Sequence, residues 1–172
     1  MKKILLSILC LISFSVYGQQ EDDRGYKVKV GDVAPVFKMK LVNGEIFDLA
    51  KQKGKVVMLQ FTASWCGVCR KEMPFIESDI WQKHKANPDF ALVAIDRDEP
   101  LETVLKFVES THITYLIGLD PKSKIFTLYA FPEAGITRNV IIDREGRIVK
   151  LTRLFNQSEF AQMTQVIDNL LK

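Results

Sequence analysis

The sequence predicts an α/β fold, a mixed central sheet flanked by helices, and three observations carry that prediction. Residues 56–59 and 90–95 are apolar runs, the pattern of strands buried on both faces of a sheet. Segments with helical spacing of apolar residues follow each of them. The chain then closes with a strand, a turn and a strand over 139–154, and one more amphipathic helix. Its 172 residues suit one domain with a sizeable core, and a content of 47% hydrophobic and 26% charged residues excludes a disordered chain.

Taken in order, the chain opens on the pattern of an export signal. Lys2 and Lys3 form a basic start, 4–14 an apolar core and Val16-Tyr17-Gly18 a cleavage site, so 1–18 reads as a signal peptide. The apolar core is short for a membrane span, so the mature protein is expected not to be membrane-embedded and to reside in a bacterial periplasm. Cys10 lies inside this segment and is expected to be removed with it. The formal charge is +3, two units of it from Lys2 and Lys3, and nothing in it suggests a nucleic-acid partner. Residues 19–30 read as a polar leader, loose over 21–26, before a domain spanning 31–172.

Within the domain, Phe37, Met39 and Leu41 alternate with Lys38 and Lys40, Asn43-Gly44 supplies a hairpin turn, and 45–49 returns. A polar connection over 51–55, closed by Gly54, leads into the strand that starts at Val56. The next helix carries Met73, Phe75, Ile76 and Ile80 inward, and Pro74 is expected to kink it. Beyond 90–95, Asp96-Arg97-Asp98 reads as a solvated loop and Pro100 as a helix start. Leu101, Val104, Leu105 and Val108 then hold helical spacing to Ser110. An inserted strand is expected over 113–119 and an inserted helix over 122–129. Ser158 is the expected N-cap of the last helix, which turns Phe160, Met163, Ile167 and Leu170 inward.

The chemistry concentrates at Trp65-Cys66-Gly67-Val68-Cys69, between a buried strand and a helix. Two cysteines so spaced form a dithiol/disulfide couple. Cys66 falls at the helix N-terminus, where unpaired N–H groups and the macrodipole favour a thiolate, and Cys69 lies one turn further in. That asymmetry suits thiol–disulfide exchange. Two ordinary core cysteines and half of a zinc site are the competing readings, the latter with only His84 and His112 left as ligands. Once Cys10 is gone, the one disulfide left to the chain is the one that turns over.

Trp65-Cys66-x-x-Cys69 with Glu72 and Pro74 after a buried strand resembles the thioredoxin superfamily. Gly31-Asp32-x-Ala34-Pro35-x-Phe37, Gly54-Lys55-Val56-Val57, the inserted segment and Asp143-x-x-Gly146 are similar to its redoxin-like TlpA/ResA branch. The resemblance implies a thioredoxin-like fold, Cys66 as attacking thiolate and Cys69 as resolving thiol. It implies no cofactor or metal, and protein thiol or disulfide clients; a reductase in the periplasm would further need electrons from a membrane thiol carrier. Trp65 and Gly67 would shape the docking surface. Glu72 would assist proton movement at Cys69, a solvated acid being its other reading.

Two positions depart from the family pattern. Gln60 stands where thioredoxin has a buried acid, which leaves Glu72 or water as the base for Cys69. The usual cis-proline, six residues before the hairpin aspartate, falls on Thr137; Pro132 would take its place only with an insertion after it. Ile136, Thr137 and Arg138 are therefore expected at the substrate edge, with Thr137 and Arg138 near the sulfurs. The Ile136–Thr137 bond is expected to be trans, since a cis bond before a residue other than proline costs about 2.5–4 kcal/mol.

The resulting expectation is an exported thiol–disulfide oxidoreductase acting on proteins. Gly67-Val68 adds no charge to support the thiolate, and a strongly oxidising couple needs a stabilised reduced form, which favours the reducing direction. A peroxide-reducing redoxin is the alternative, encouraged by Thr137-Arg138 but opposed by Cys66, which occupies the place of that class's threonine. A copper metallochaperone is a third class, opposed by CxxC spacing in place of CxxxC and by the want of a committed histidine.

Overall fold

In the computed structural model, which describes residues 24–172, the strands are β1 (Lys38–Leu41), β2 (Ile46–Asp48), β3 (Val56–Thr62), β4 (Phe90–Arg97), β5 (Leu116–Asp120), β6 (Arg138–Ile142) and β7 (Ile148–Arg153). The helices are α1 (Gly67–Phe75), α2 (Gln82–His84), α3 (Leu101–Thr111), α4 (Phe126–Tyr129) and α5 (Gln157–Leu170). The expected signal peptide, with Cys10, lies outside the described residues.

The strands make one mixed sheet in the order β2-β1-β5-β4-β3-β6-β7. Its centre, β3, β4 and β5, is parallel, and the two flanks are antiparallel. All seven residues of β3 are buried because both faces of the sheet are covered. Val56 and Met58 of β3, with Leu92 and Ala94 of β4, pack beneath α1, α3 and α5. Val57, Leu59 and Phe61 pack on the opposite face against Phe126 and Tyr129 of α4 and against Tyr26. The period of two along each strand thus sorts β3 and β4 into two cores, and the active-site residues inherit that parity.

The hairpin at Asn43-Gly44 closes as its residues dictate: Gly44 takes φ +90°, and Leu41 N–H bonds to Glu45 O at 2.8 Å. Pro74 lies inside α1, and the helix answers by widening into a π-helical turn over Ile76–Trp81 before α2. A proline removes one intrahelical N–H and crowds the preceding turn, and the wider winding absorbs both.

Several expectations are corrected. The leader is not loose at its described end, where Tyr26 is buried and its hydroxyl donates to Thr152 O at 2.5 Å. The inner face of α3 is Val104 and Phe107, whereas Leu101 and Leu105 are exposed. The inserted helix shrinks to α4, because Lys122 and Ser123 adopt positive φ and the Asp120 carboxylate caps Ile125 N–H and Phe126 N–H, both at 2.8 Å. The cap of α5 is Asn156, whose side chain accepts from Glu159 N–H, in place of Ser158.

Candidate active site

β3 ends at Thr62, and Ala63 O takes the Cys66 N–H at 3.0 Å as the chain turns into α1. Cys66 is the N-cap of that helix. Its backbone is extended, and its Sγ accepts the Cys69 N–H at 3.1 Å, the place an oxygen fills in most caps. The sulfur therefore sits on the positive end of the helix. Cys66 and Cys69 are joined as a disulfide, with Cα atoms 5.3 Å apart. Cys66 retains 6% exposure and Cys69 none, so the outer sulfur is that of Cys66. Trp65 beside it is 65% exposed, and a Cβ added at Gly67 would meet nothing within 4 Å.

Thr137, directly before β6, closes the site. Its hydroxyl lies 3.2 Å from Cys66 Sγ and 3.3 Å from Cys69 Sγ, and since disulfide sulfurs carry no hydrogen, the hydroxyl is the donor. The Ile136–Thr137 bond is trans, as is every peptide bond among the described residues. Arg138, expected near the sulfurs, is corrected to the opposite face. It is 1% exposed, donates to Gly135 O at 2.9 Å and Arg24 O at 2.7 Å, and stacks 4.4 Å over the Tyr26 ring. Successive strand residues point to opposite faces, so Thr137 and Arg138 cannot both reach the cysteines. Ile136 packs its side chain into the core, with 4% exposure.

Glu72 is one turn beyond Cys69 on α1 and only 2% exposed, which overturns its reading as a solvated acid. Asn139 Nδ2 donates to its Oε1 at 2.8 Å. Gln60, fully buried on β3, faces the same carboxyl and favours the anion, although Gln60 Nε2 and Glu72 Oε2 have no partner at hydrogen-bond distance. Gln60 Oε1 instead accepts from Tyr115 Oη at 2.8 Å. Loss of water outweighs these bonds, and burial pushes Glu72 up to about 7.

The redoxin sequence profile matches residues 29–167. The chain belongs to the redoxin family. This redoxin is 30% identical over 148 residues to the thiol-disulfide oxidoreductase ResA of Bacillus cereus, across 86% of this chain and 83% of that one. It is also similar to the solution structure of a candidate protein disulfide isomerase from Bacteroides thetaiotaomicron. That likeness is 64% in identity, with a TM-score of 0.84, across 86% of this chain and 92% of that one. StoA of Bacillus subtilis is 25% identical with a TM-score of 0.62, across 77% and 98%. With its bonded CxxC pair, the redoxin is a thiol–disulfide oxidoreductase, an enzyme whose family implies protein thiol clients.

The two histidines, which the sequence left as the only other candidate ligands, fall elsewhere. His84 bonds to Asp168 at 2.7 Å and His112 closes α3, so neither joins the cysteines as a zinc ligand. No described helix is long and apolar enough to cross a membrane. Asn139 and Tyr115, which complete the Glu72 pocket, were not singled out from the sequence. Strand parity could have found Asn139, two residues from Thr137. Asp96, read as part of a solvated loop, is fully buried at the end of β4, on the face that carries Leu92 and Ala94.

Proposed function

We propose that this redoxin is exported to the periplasm and reduces client disulfides, with Cys66 as nucleophile, Cys69 as resolving thiol and Glu72 as proton acceptor for Cys69. One observation carries the reading: a buried carboxyl, poised near neutrality, one helical turn from the inner cysteine. In the reduced enzyme, the Cys66 thiolate attacks one client sulfur and displaces the other as a thiolate. Cys69 then gives its proton to Glu72 and attacks Cys66 Sγ, which expels the second client sulfur. Two electrons pass to the client, whose thiolates take protons from Glu72 and water.

A group titrating near the working pH transfers protons with little driving force lost in either direction. The donors at Cys66 Sγ, the Cys69 N–H and the Thr137 hydroxyl, are neutral and support a thiolate less than an imidazolium would. That supports the reducing direction, with electrons supplied by a membrane thiol carrier. Exposed Trp65 and open Gly67 support a docking surface for an extended client.

The test is Cys69→Ser, which should trap Cys66 in a mixed disulfide with its client in periplasmic extract. An adduct forming through the residual cysteine of Cys66→Ser instead would reverse the roles. A cytoplasmic protein retaining residues 1–18 would reject export.

A further inference from the structure

A second buried carboxyl lies on the same face of the sheet as Glu72. Asp96 ends β4 with no exposure, and neither of its oxygens has a donor within hydrogen-bond distance. Its charged neighbours are acids: Glu99, from the loop before α3, lies beside it, while Asp120, at the end of β5, turns to α4 on the other face and acts on it only through its charge. From β3 its register partner is uncharged Thr62. Arg97, the next residue of β4, points to the other face and sits 4.0 Å over the Phe126 ring. Arg70, on α1, is spent on Ser64 O at 2.8 Å and Ser110 Oγ at 2.9 Å.

Glu99 meets Asp96 on one side and the active-site loop on the other. Its Oε2 accepts the Ser64 N–H at 2.5 Å, and its Oε1 accepts the Ser64 hydroxyl at 2.6 Å. Ser64 directly precedes Trp65 and Cys66. A carboxyl with no exposure, no donor and an acid beside it keeps its proton, and Asp96 can offer that proton to Glu99. Glu99 already accepts with both oxygens, which assigns that proton to Asp96.

We propose that Asp96 and Glu99 form a carboxyl pair sharing one proton, and that this pair holds Ser64, and through it Trp65 and Cys66, in position for attack on the client. Glu99 is a positioning residue: it grips the loop and touches neither sulfur. Asp96 holds Glu99 in the grip. With Arg70 on the Ser64 carbonyl, all three polar groups of Ser64 are engaged, and the loop is fixed from α1 and from the loop before α3 together. Burial and the neighbouring acids push Asp96 up to about 8. The pair therefore persists at neutral pH and fails as pH rises past that point, when Asp96 loses the proton that joins it to Glu99 and the grip loosens. The inference rests on thiol–disulfide exchange at Cys66 but not on the role of Glu72.

The experiment uses reduced enzyme carrying Trp81→Phe, so that Trp65 is the reporter. Acrylamide quenching of Trp65 and alkylation of Cys66 are followed from about pH 6 to about pH 10. Quenching should rise through a step near pH 8 that is separate from the thiolate's own titration. Asp96→Asn, whose amide donates to Glu99 at every pH, should abolish that step. Glu99→Gln should hold Trp65 quenching at its high-pH level throughout and slow attack on a disulfide client about tenfold, the loss expected of one charge-assisted bond. Ser64→Ala removes one arm of the grip and should move both readouts the same way by less, which keeps the test alive if Glu99→Gln does not fold. A step that persists in Asp96→Asn overturns the proposal. So does a Glu99→Gln or Ser64→Ala enzyme with the parent's quenching and rate. Alkylation that falls first on Cys69 would refute the assignment of Cys66, while the Trp65 step still decides the pair.

Discussion

Glu72 and Asp96 are both acids buried on the α1 face of the sheet, and they differ in what surrounds them. Glu72 meets amides, Asn139 and Gln60, with the Tyr115 hydroxyl behind. Asp96 meets Glu99 and feels the charge of Asp120 from the other face. Amides can donate to an anion, so Glu72 is raised only to about 7 and can be ionised or neutral at the pH of the reaction. Acid neighbours disfavour a second charge, so Asp96 is raised to about 8 and keeps its proton. One environment makes a carboxyl that can exchange a proton, the other a carboxyl that holds one. Burial alone would not have separated them.

The largest effect should come from removing the exchangeable proton site. Glu72→Gln is expected to slow release of the mixed disulfide about a hundredfold at neutral pH while changing its formation little, the low end of what general acid–base catalysis supplies. Stopped-flow traces with unchanged release would assign the proton to water and erase the functional half of the comparison.

The same substitution should change stability in a pH-dependent way. The folded Glu72 binds its proton up to about 7, against an ordinary carboxyl value of 4.5 in the unfolded chain. The native state thus holds more protons in that window, and stability falls as pH rises through it. For oxidised enzyme the loss attributable to Glu72 is about 3 kcal/mol. Denaturant midpoints of Glu72→Gln should lack that part of the slope, and parallel slopes for the two proteins would mean the carboxyl is wetter than its 2% exposure indicates. The slope due to Asp96 should survive and extend to about pH 8.

Asn139→Leu tests whether the amides set the difference. Its Nδ2 donates to Glu72 Oε1 and to Thr152 Oγ1, at 2.8 and 2.9 Å. Without that donor, Glu72 should hold its proton more tightly and behave more like Asp96. The pH dependence of release should move alkaline, and release at neutral pH should slow about tenfold. An unmoved profile would show that the Asn139 bond does not set how tightly Glu72 holds its proton.

The contrast between these acids was not legible in the sequence, although the elements bearing them were. Apolar runs and helical spacing are local patterns, and they foretold the strands at Val56 and Phe90 and the helix after Cys66. Cys66 and Cys69 declared themselves by spacing. The Glu72 pocket, by contrast, is built from Gln60 on β3, Asn139 on β6 and Tyr115 ahead of β5, which only the sheet order brings together. Asp96 was hidden by its charged neighbours Arg97 and Asp98, which make the segment look solvated. The parity of Leu92, Ala94 and Asp96 was the available signal. The same parity separates Thr137 from Arg138, which the sequence reading put side by side at the sulfurs.

The smallest expected effect is at Thr137, the hydroxyl that touches both sulfurs. In the disulfide it donates to acceptors 3.2 and 3.3 Å away. After reduction, Cys66 carries the charge at the helix N-cap, and the hydroxyl should turn wholly to that sulfur, joining the Cys69 N–H. A neutral hydroxyl bond to an anion is worth about 1–1.5 kcal/mol here, set against the larger support of the helix end and the cap N–H. Thr137→Val keeps the shape and the trans bond and removes only the donor. It should slow alkylation of Cys66 near neutral pH about fivefold to tenfold, by lowering the thiolate fraction. The alkylation rate at pH high enough to ionise every thiol should be unchanged, which separates a lost hydrogen bond from altered access. Thr137→Pro should give the same thiolate loss together with a change in client preference, since it also removes a backbone N–H at the docking edge. If Thr137→Val alkylates as fast as the parent at neutral pH, the hydroxyl does not hold the thiolate, and the helix end and cap N–H are sufficient for Cys66.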